Sequence, residues 1–270
     1  MGKINVFVKL GGSFITDKKA ADSLKVQRVV SAARMIRKAL DDSPGAGEEL
    51  SLVLGHGAGS YGHILAKEYG AVSGVHPKAG WEGFHKIRDS MADMNLRFVR
   101  GCHKGGLFPV TVQPSAVALA KKGAVARMDL KNITEFMRLG QIPLIHGDIV
   151  PDSEQGFTIA STEALLAALV EHIHFDRIVM VSDTDGVLDA GGGTIERIDR
   201  RNIESVGSFL GGSGSPDVTG GMRGKVEGLF SLVSSGKAGE ARILRCVEEP
   251  ERLCRAILGQ GGGGTLIAGT

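Results

Sequence analysis

Along the chain, short apolar runs rich in β-branched residues alternate with longer stretches whose apolar positions recur every three or four residues. The short runs predict strands over 4–10, 50–54, 108–113, 143–146, 177–182 and 241–245. The longer stretches predict helices over 24–40, 81–104, 132–138, 162–172 and 225–234. Strands that take turns with helices predict an α/β protein, a three-layer α/β/α sandwich around a mainly parallel sheet. The run RIVMVS is apolar on both faces, as an interior strand covered by helices must be. GDIVPDSEQGFTIAS predicts two strands around a turn, and DAGGGT at 189–194 a second turn. GGSGSPDVTGG at 211–221 reads as a long loop, and GQGGGGTLIAGT leads into a final edge strand. No repeat or linker divides the sequence, so one domain over 1–270 is expected, with lobes at about 1–172 and 173–270.

Composition narrows the function classes. A net charge of +2 over 270 residues is too small to suggest a nucleic-acid surface. No apolar stretch is long enough to span a membrane. Three cysteines (Cys102, Cys246 and Cys254) have no metal-ligand spacing, which fits reduced thiols in the cytoplasm. Forty glycines are about twice the usual share, and many of them cluster beside apolar runs. That placement predicts backbone built to approach a ligand closely.

The segment VLGHGAGSYGH at 53–63 concentrates the question, with four glycines behind a strand and a histidine at the end. Gly57, Gly59 and Gly62 satisfy G-x-G-x-x-G, but 70–82 read GAVSGVHPKAGWE where a dinucleotide fold needs a second strand ending in an acid. Ser60 sits in a near-miss of the hydrolase elbow, but no histidine follows His174 to complete a triad in hydrolase order. Three further turns after strands carry glycine: KLGGS at 9–13, HGD at 146–148 and DTDG at 183–186. Ligands of open α/β sheets collect at the carboxyl ends of strands, and glycine turns offer N–H donors to phosphate oxygens. No P-loop is present and no protein-kinase signature, so a different phosphate-handling fold is indicated.

VKLGGSFITDK, GHGAGSYGH, HGDIV, SDTDGVLD and DVTGGMRGK, in this order, resemble the amino acid kinase superfamily and, within it, the isopentenyl phosphate kinases. The resemblance implies transfer of the γ-phosphoryl of ATP to isopentenyl phosphate, in the alternative mevalonate route of isoprenoid biosynthesis. It implies that Lys9, Lys18 and Lys225 supply positive charge to the transferring phosphoryl, while Gly11, Gly12, Ser13 and Gly59 give backbone contacts to the nucleotide phosphates. Asp183, Thr184, Asp185, Gly186 and Gly221 would meet the rest of the nucleotide. Ala58, His63, Gly147 and Thr162 would hold the acceptor phosphate, with His63 as a donor rather than a base. An acceptor that is already an anion needs no proton removed. Magnesium would travel with ATP, held mainly by nucleotide and water, and relatives of this fold commonly pair as homodimers.

Two departures from the family pattern bear on the site. Where the family usually reads S-G-D, this chain has Ser161, Thr162 and Glu163, so either Glu163 or Asp148 is expected to orient the catalytic lysines. Arg223 stands where lysine is more frequent. Trp81, Phe84, Ile87, Met91 and Met94 fall at helical spacing after the acceptor loop; Phe84, Ile87 and Met91 are the expected wall of a dry cavity for a hydrocarbon tail. Rival readings are a kinase of the same fold acting on fosfomycin, a carboxylate or a nucleoside monophosphate, and a nucleotide-binding sensor without catalysis.

Overall fold

The computed structural model describes residues 2–17, 20, 23–71, 74, 80–210 and 221–270, apart from the side chains of Ala46 and Phe209. The first half runs β1 (Gly2–Leu10), α1 (Gly12–Ile15), α2 (Val26–Asp42), β2 (Glu48–His56), α3 (Gly59–Glu68), α4 (Glu82–Lys104), β3 (Pro109–Thr111), α5 (Pro114–Val117), β4 (Ala118–Lys121), β5 (Ala124–Met128) and α6 (Lys131–Arg138). The second runs β6 (Ile142–His146), β7 (Asp148–Asp152), β8 (Gly156–Ala160), α7 (Thr162–Leu169), β9 (Phe175–Val181), β10 (Arg197–Ile198), α8 (Ile203–Leu210), α9 (Gly221–Ser234), β11 (Ala238–Leu244), α10 (Glu251–Ile257) and β12 (Thr265–Ala268). All six predicted strands and all five predicted helices are present, and the α/β class with a mainly parallel sheet holds.

The chain forms two compact units, and these are not simply its two halves. The first contains β1 as far as Lys9, Met35–Ser51 and Val170–Thr270; the second contains Leu10–Arg34 and Leu52–Leu169. Residues 1–9 and 35–51, expected in the first lobe, therefore belong with the C-terminal part of the chain. Contacts with β9 tie them there: Phe7 packs edge-on against Phe175 at 5.7 Å, the Asn5 N–H donates to the Asp176 carboxylate at 2.8 Å, and Glu48 pairs with Arg177.

In the first unit the strands lie in the order β10-β12-β11-β9-β1. β9 and β11 are parallel, and Ile178, Val179, Met180 and Val181 are buried on both faces, as RIVMVS predicted. β12 is not the edge strand: it pairs antiparallel with β11 and parallel with the two-residue β10, which takes the edge. Arg177 grips Glu48 through two bonds of 2.9 and 2.7 Å and also donates to the Ile257 carbonyl at 3.1 Å, closing off α10.

The second unit has β2-β6-β3 in parallel and a separate four-stranded sheet, β5-β4-β7-β8. β7 and β8 are the predicted hairpin. The hairpin β4–β5 was not expected. Its two-residue turn places Lys122 at φ 52 and Gly123 at φ 81, as a tight hairpin turn requires. The Asp152 carboxylate accepts N–H bonds from Gly123 at 2.7 Å and Glu154 at 2.9 Å, tying that turn to the next one. Among the described residues no helix is long and apolar enough to cross a membrane.

Candidate active site

In the second unit three of the four turns expected to handle phosphate come together, through the backbone. The Gly57 N–H donates to the Leu10 carbonyl at 3.0 Å, and the Gly147 N–H to the His56 carbonyl at 3.1 Å. A Cβ on Gly12 would lie 2.5 Å from the Gly59 nitrogen, and one on Gly57 would lie 2.6 Å from the Gly12 nitrogen. Any side chain at either place collides with main chain, so the glycines at 12 and 57 are required by close approach, not by conformation. Gly59 is required twice over: it takes φ 52, and a Cβ there would strike the Thr16 side chain. The Thr16 hydroxyl donates to the Gly12 carbonyl at 2.8 Å and accepts the Ser60 N–H at 3.2 Å. Thr16 thus staples the first glycine turn to the second. It was missed because a threonine past a glycine turn carries no signal in sequence.

These contacts set the surroundings of the expected acceptor residues. Within 51–60 only Ala58 is incompletely buried. His63 is half-buried on α3, and Gly62 faces α4, where a Cβ would sit 3.3 Å from the Met91 sulfur. Gly11 caps α1 at φ −62, with Gly12 and Ser13 half-buried beside it. Thr162 is buried, and its hydroxyl donates to the His56 carbonyl at 2.7 Å, sharing that oxygen with Gly147. The threonine that replaces the family's glycine therefore makes a main-chain contact of its own. Glu163 follows in the first turn of α7, half-buried.

Asp148 begins β7 and its carboxyl is buried. One oxygen accepts from the Gln113 amide and from the Ser115 N–H at 3.3 Å, with the Arg88 guanidinium at 3.9 Å; the other has no partner among the described residues. Burial pushes this carboxyl above its usual range, against the pull of Arg88. Behind the same turn, His146 stacks on His56 at 5.0 Å between ring centres. Burial pushes the His146 imidazole down to about 4, so it is neutral, and its Nδ1 lies 2.9 Å from the Gly147 carbonyl as a donor.

Of the expected tail wall, Ile87 and Met91 are core residues on α4, as is Met94. Phe84 packs against Trp81 at 5.3 Å and Phe157 at 5.7 Å, and Trp81 is about half exposed.

The first unit carries the other expected residues. Lys9 is buried near the end of β1. At the turn after β9, the Thr184 hydroxyl donates to the Gly186 carbonyl at 3.2 Å, and the Ser182 hydroxyl to Asp183 at 3.4 Å. Gly186 takes φ 84, and a Cβ there would lie 2.5 Å from the Thr265 hydroxyl. Asp185 is bonded to Arg252 at 2.7 Å. Gly221 takes φ 62 at the start of α9, where Lys225 is half-buried and Arg223 pairs with Glu227 at 2.7 Å. Lys18 and 211–220 of the expected long loop lie outside the described residues.

Comparison with known proteins gives one pattern. The family described as the amino acid kinase family matches residues 5–244. Isopentenyl phosphate kinase of Methanocaldococcus jannaschii is 34% identical over 82% of this chain and 84% of its own. The enzyme of that name from Methanothermobacter thermautotrophicus is 29% identical over 98% and 99%. Among solved structures, one of isopentenyl phosphate kinase superposes with a TM-score of 0.79 at 27% identity, covering 98% of this chain and all of that one.

Proposed function

The chain belongs to the amino acid kinase family, and from that premise we propose that it transfers the γ-phosphoryl group of ATP to isopentenyl phosphate, releasing isopentenyl diphosphate and ADP. The observation that carries this reading is the interlocked set of turns at 10–13, 56–63 and 146–148, with half-buried His63 on the helix that follows. Relatives that match across most of the chain bear the name of that activity.

Phosphoryl transfer asks the protein for position and for charge compensation more than for covalent chemistry. The acceptor phosphate is itself the nucleophile: one of its oxygens bonds to the γ-phosphorus as the bond to the β–γ bridging oxygen breaks, and ADP leaves. His63 donates to the acceptor phosphate and partly cancels its charge, with Ala58 and Gly147 contributing backbone. The buried Thr162 shapes that loop through the His56 carbonyl. Lys9, Lys18 and Lys225 compensate the growing charge on the equatorial and bridging oxygens. Glu163 is the better candidate to orient lysines, because the Asp148 carboxyl is fully buried, held through one oxygen by Gln113, Ser115 and Arg88, and pushed by burial toward its neutral form. Gly11, Gly12, Ser13, Gly59 and Gly221 give backbone to the nucleotide, and 183–186 receive its remainder. Phe84, Ile87 and Met91 line the path of the hydrocarbon tail.

Magnesium supplies charge neutralisation on the β- and γ-phosphates when bound. Among the described residues no group of three histidine, cysteine or acidic side chains stands together; the proposal is that the ion comes with the nucleotide. The same reading takes the protein to be a cytoplasmic homodimer.

Release of ADP, coupled to a reporter and measured across isopentenyl phosphate, fosfomycin, a carboxylate and a nucleoside monophosphate, tests the assignment. Turnover is expected with isopentenyl phosphate; turnover with another of these alone reassigns the acceptor, and nucleotide binding with no turnover on any of them leaves the sensor reading.

A further inference from the structure

The C-terminal glycine run has no place in the reaction outlined above, yet it is the most unusual stretch of backbone among the described residues. Four consecutive residues, Gly261, Gly262, Gly263 and Gly264, take φ of 91, 114, 72 and 66. L-residues rarely enter this region singly, and a run of four demands a structural reason. The reason is Arg252 on α10. Its Nε donates to the Gly262 carbonyl at 2.7 Å, and its guanidinium lies beside Gly263, where a Cβ would strike it. A Cβ on Gly262 would meet the Arg252 carbonyl at 2.5 Å. The run is moulded around one arginine.

The free end of that arginine points to the turn at 183–186. Its Nη2 donates to the Asp185 carboxylate at 2.7 Å, with the arginine side chain only 17% exposed. The run continues into Thr265, whose hydroxyl accepts the Val187 N–H at 2.8 Å and packs where a Cβ of Gly186 would be. Thr194 closes the other side, donating to the Asp185 carbonyl at 2.8 Å. A second guanidinium, Arg242, donates to the Gly263 carbonyl at 2.9 Å, and burial together with the like charge of Arg252 pushes it below the ordinary arginine range. The carbonyls of the run are shared between two arginines; the carboxylate bonded to Arg252 is Asp185, while Glu240 lends its charge to Arg242.

We propose that Arg252, seated on the left-handed run at 261–264, is a positioning residue for the nucleotide: it fixes the turn at 183–186 and cancels the charge of Asp185, so that a polyanion can settle there. An uncompensated carboxylate at that turn repels the phosphates and lets the turn drift. The inference rests on the reading that 183–186 meet ATP, and it adds a partner that lies 67 residues further along the chain.

The test is the affinity for a non-hydrolysable ATP analogue by calorimetry, with the KM for ATP and for isopentenyl phosphate measured beside it. Arg252→Ala is expected to weaken analogue binding and raise the KM for ATP roughly tenfold, the cost of stranding a charged partner. The KM for isopentenyl phosphate and kcat at saturating ATP stay within about twofold, inside the scatter of uncoupled sites. Adding Asp185→Asn recovers most of the loss, because the uncompensated charge has gone, and Arg252→Lys recovers part of it, since one ammonium nitrogen cannot stand at the positions of both Nε and Nη2. If Arg252→Ala does not fold, Arg252→Gln with and without Asp185→Asn carries the same comparison. The proposal is overturned by unchanged analogue affinity, by equal losses in the single and double variants, or by an equal rise in both KM values. A wild-type chain that binds the analogue but leaves isopentenyl phosphate untouched sinks the acceptor assignment and not this inference; one with no affinity for the analogue sinks both.

Discussion

The turns at 10–13 and 56–63 and the turn at 183–186 are all glycine-bearing and all follow strands, but they are held in different ways. In the first region backbone touches backbone: Gly12, Gly57 and Gly59 interlock with no room for a methyl group, and the Thr16 hydroxyl bonds to main chain on both sides. In the second region the turn is held from outside by side chains, the Arg252 guanidinium and the Thr265 and Thr194 hydroxyls. Contacts between main chains cannot relax, so the first arrangement is rigid and intolerant of substitution. A side-chain clamp can shift, so the second should yield by degrees.

The same substitution made in both regions breaks or confirms that contrast. Gly57→Ala drives a Cβ to 2.6 Å from the Gly12 nitrogen, and displacing either turn misplaces the acceptor. We expect kcat/KM to fall by roughly a hundredfold or more, the cost of a displacement of about 1 Å at a reacting centre. A variant that retains near-normal turnover shows that the interlock is dispensable.

The histidine stack behind that interlock gives a pH signature. The folded His146 lies at about 4, against 6.5 for an unperturbed imidazole, so the unfolded chain takes up the proton first. The stability this buried neutral ring confers is complete above pH 6.5 and drains away as pH falls toward 4, a loss on the order of 3 kcal/mol. Denaturation midpoints measured from pH 7 down to pH 4 should show that slope, and His146→Asn should flatten it. An unchanged slope in the variant assigns it to other groups.

His63 sharpens the comparison from the chemical side. His63→Ala should raise the KM for isopentenyl phosphate roughly ten- to a hundredfold, as loss of a hydrogen bond to a charged group does, with the KM for ATP little changed. Steady-state kinetics with each substrate varied in turn would show it; an unaltered acceptor KM removes His63 from the phosphate.

The smallest effect is expected at Gly263→Ala, where the new methyl meets the far end of an arginine at φ 72. Left-handed strain alone costs about 1–2 kcal/mol, visible as a lower thermal midpoint, while acceptor kinetics stay as they were. Collapse of this variant to the level of Gly57→Ala would abolish the distinction between the two regions.

The contrast also accounts for what could be seen in the sequence. Glycines that must admit another backbone or take positive φ cannot be replaced, so GHGAGSYGH and DTDG stand out as strings. RIVMVS declares its burial because both of its faces are apolar. Thr16 and Arg252 could not be found that way, since each matters through a partner 44 or 67 residues away and neither residue type is unusual where it stands. The β4–β5 hairpin escaped because its strands are short and half exposed, although Lys122-Gly123 between alternating runs was a usable turn signal. β12 looked like an edge because a two-residue strand such as β10 has too little pattern to register.

The claim on which the rest depends is transfer between two phosphates, and phosphorus NMR reads it without a coupling enzyme. In a mixture of the protein, MgATP and isopentenyl phosphate, the monophosphate resonance should fade while the paired resonances of a new diphosphate rise in step with ADP. Consumption of ATP to inorganic phosphate with the monophosphate intact, or no consumption at all, would contradict the account.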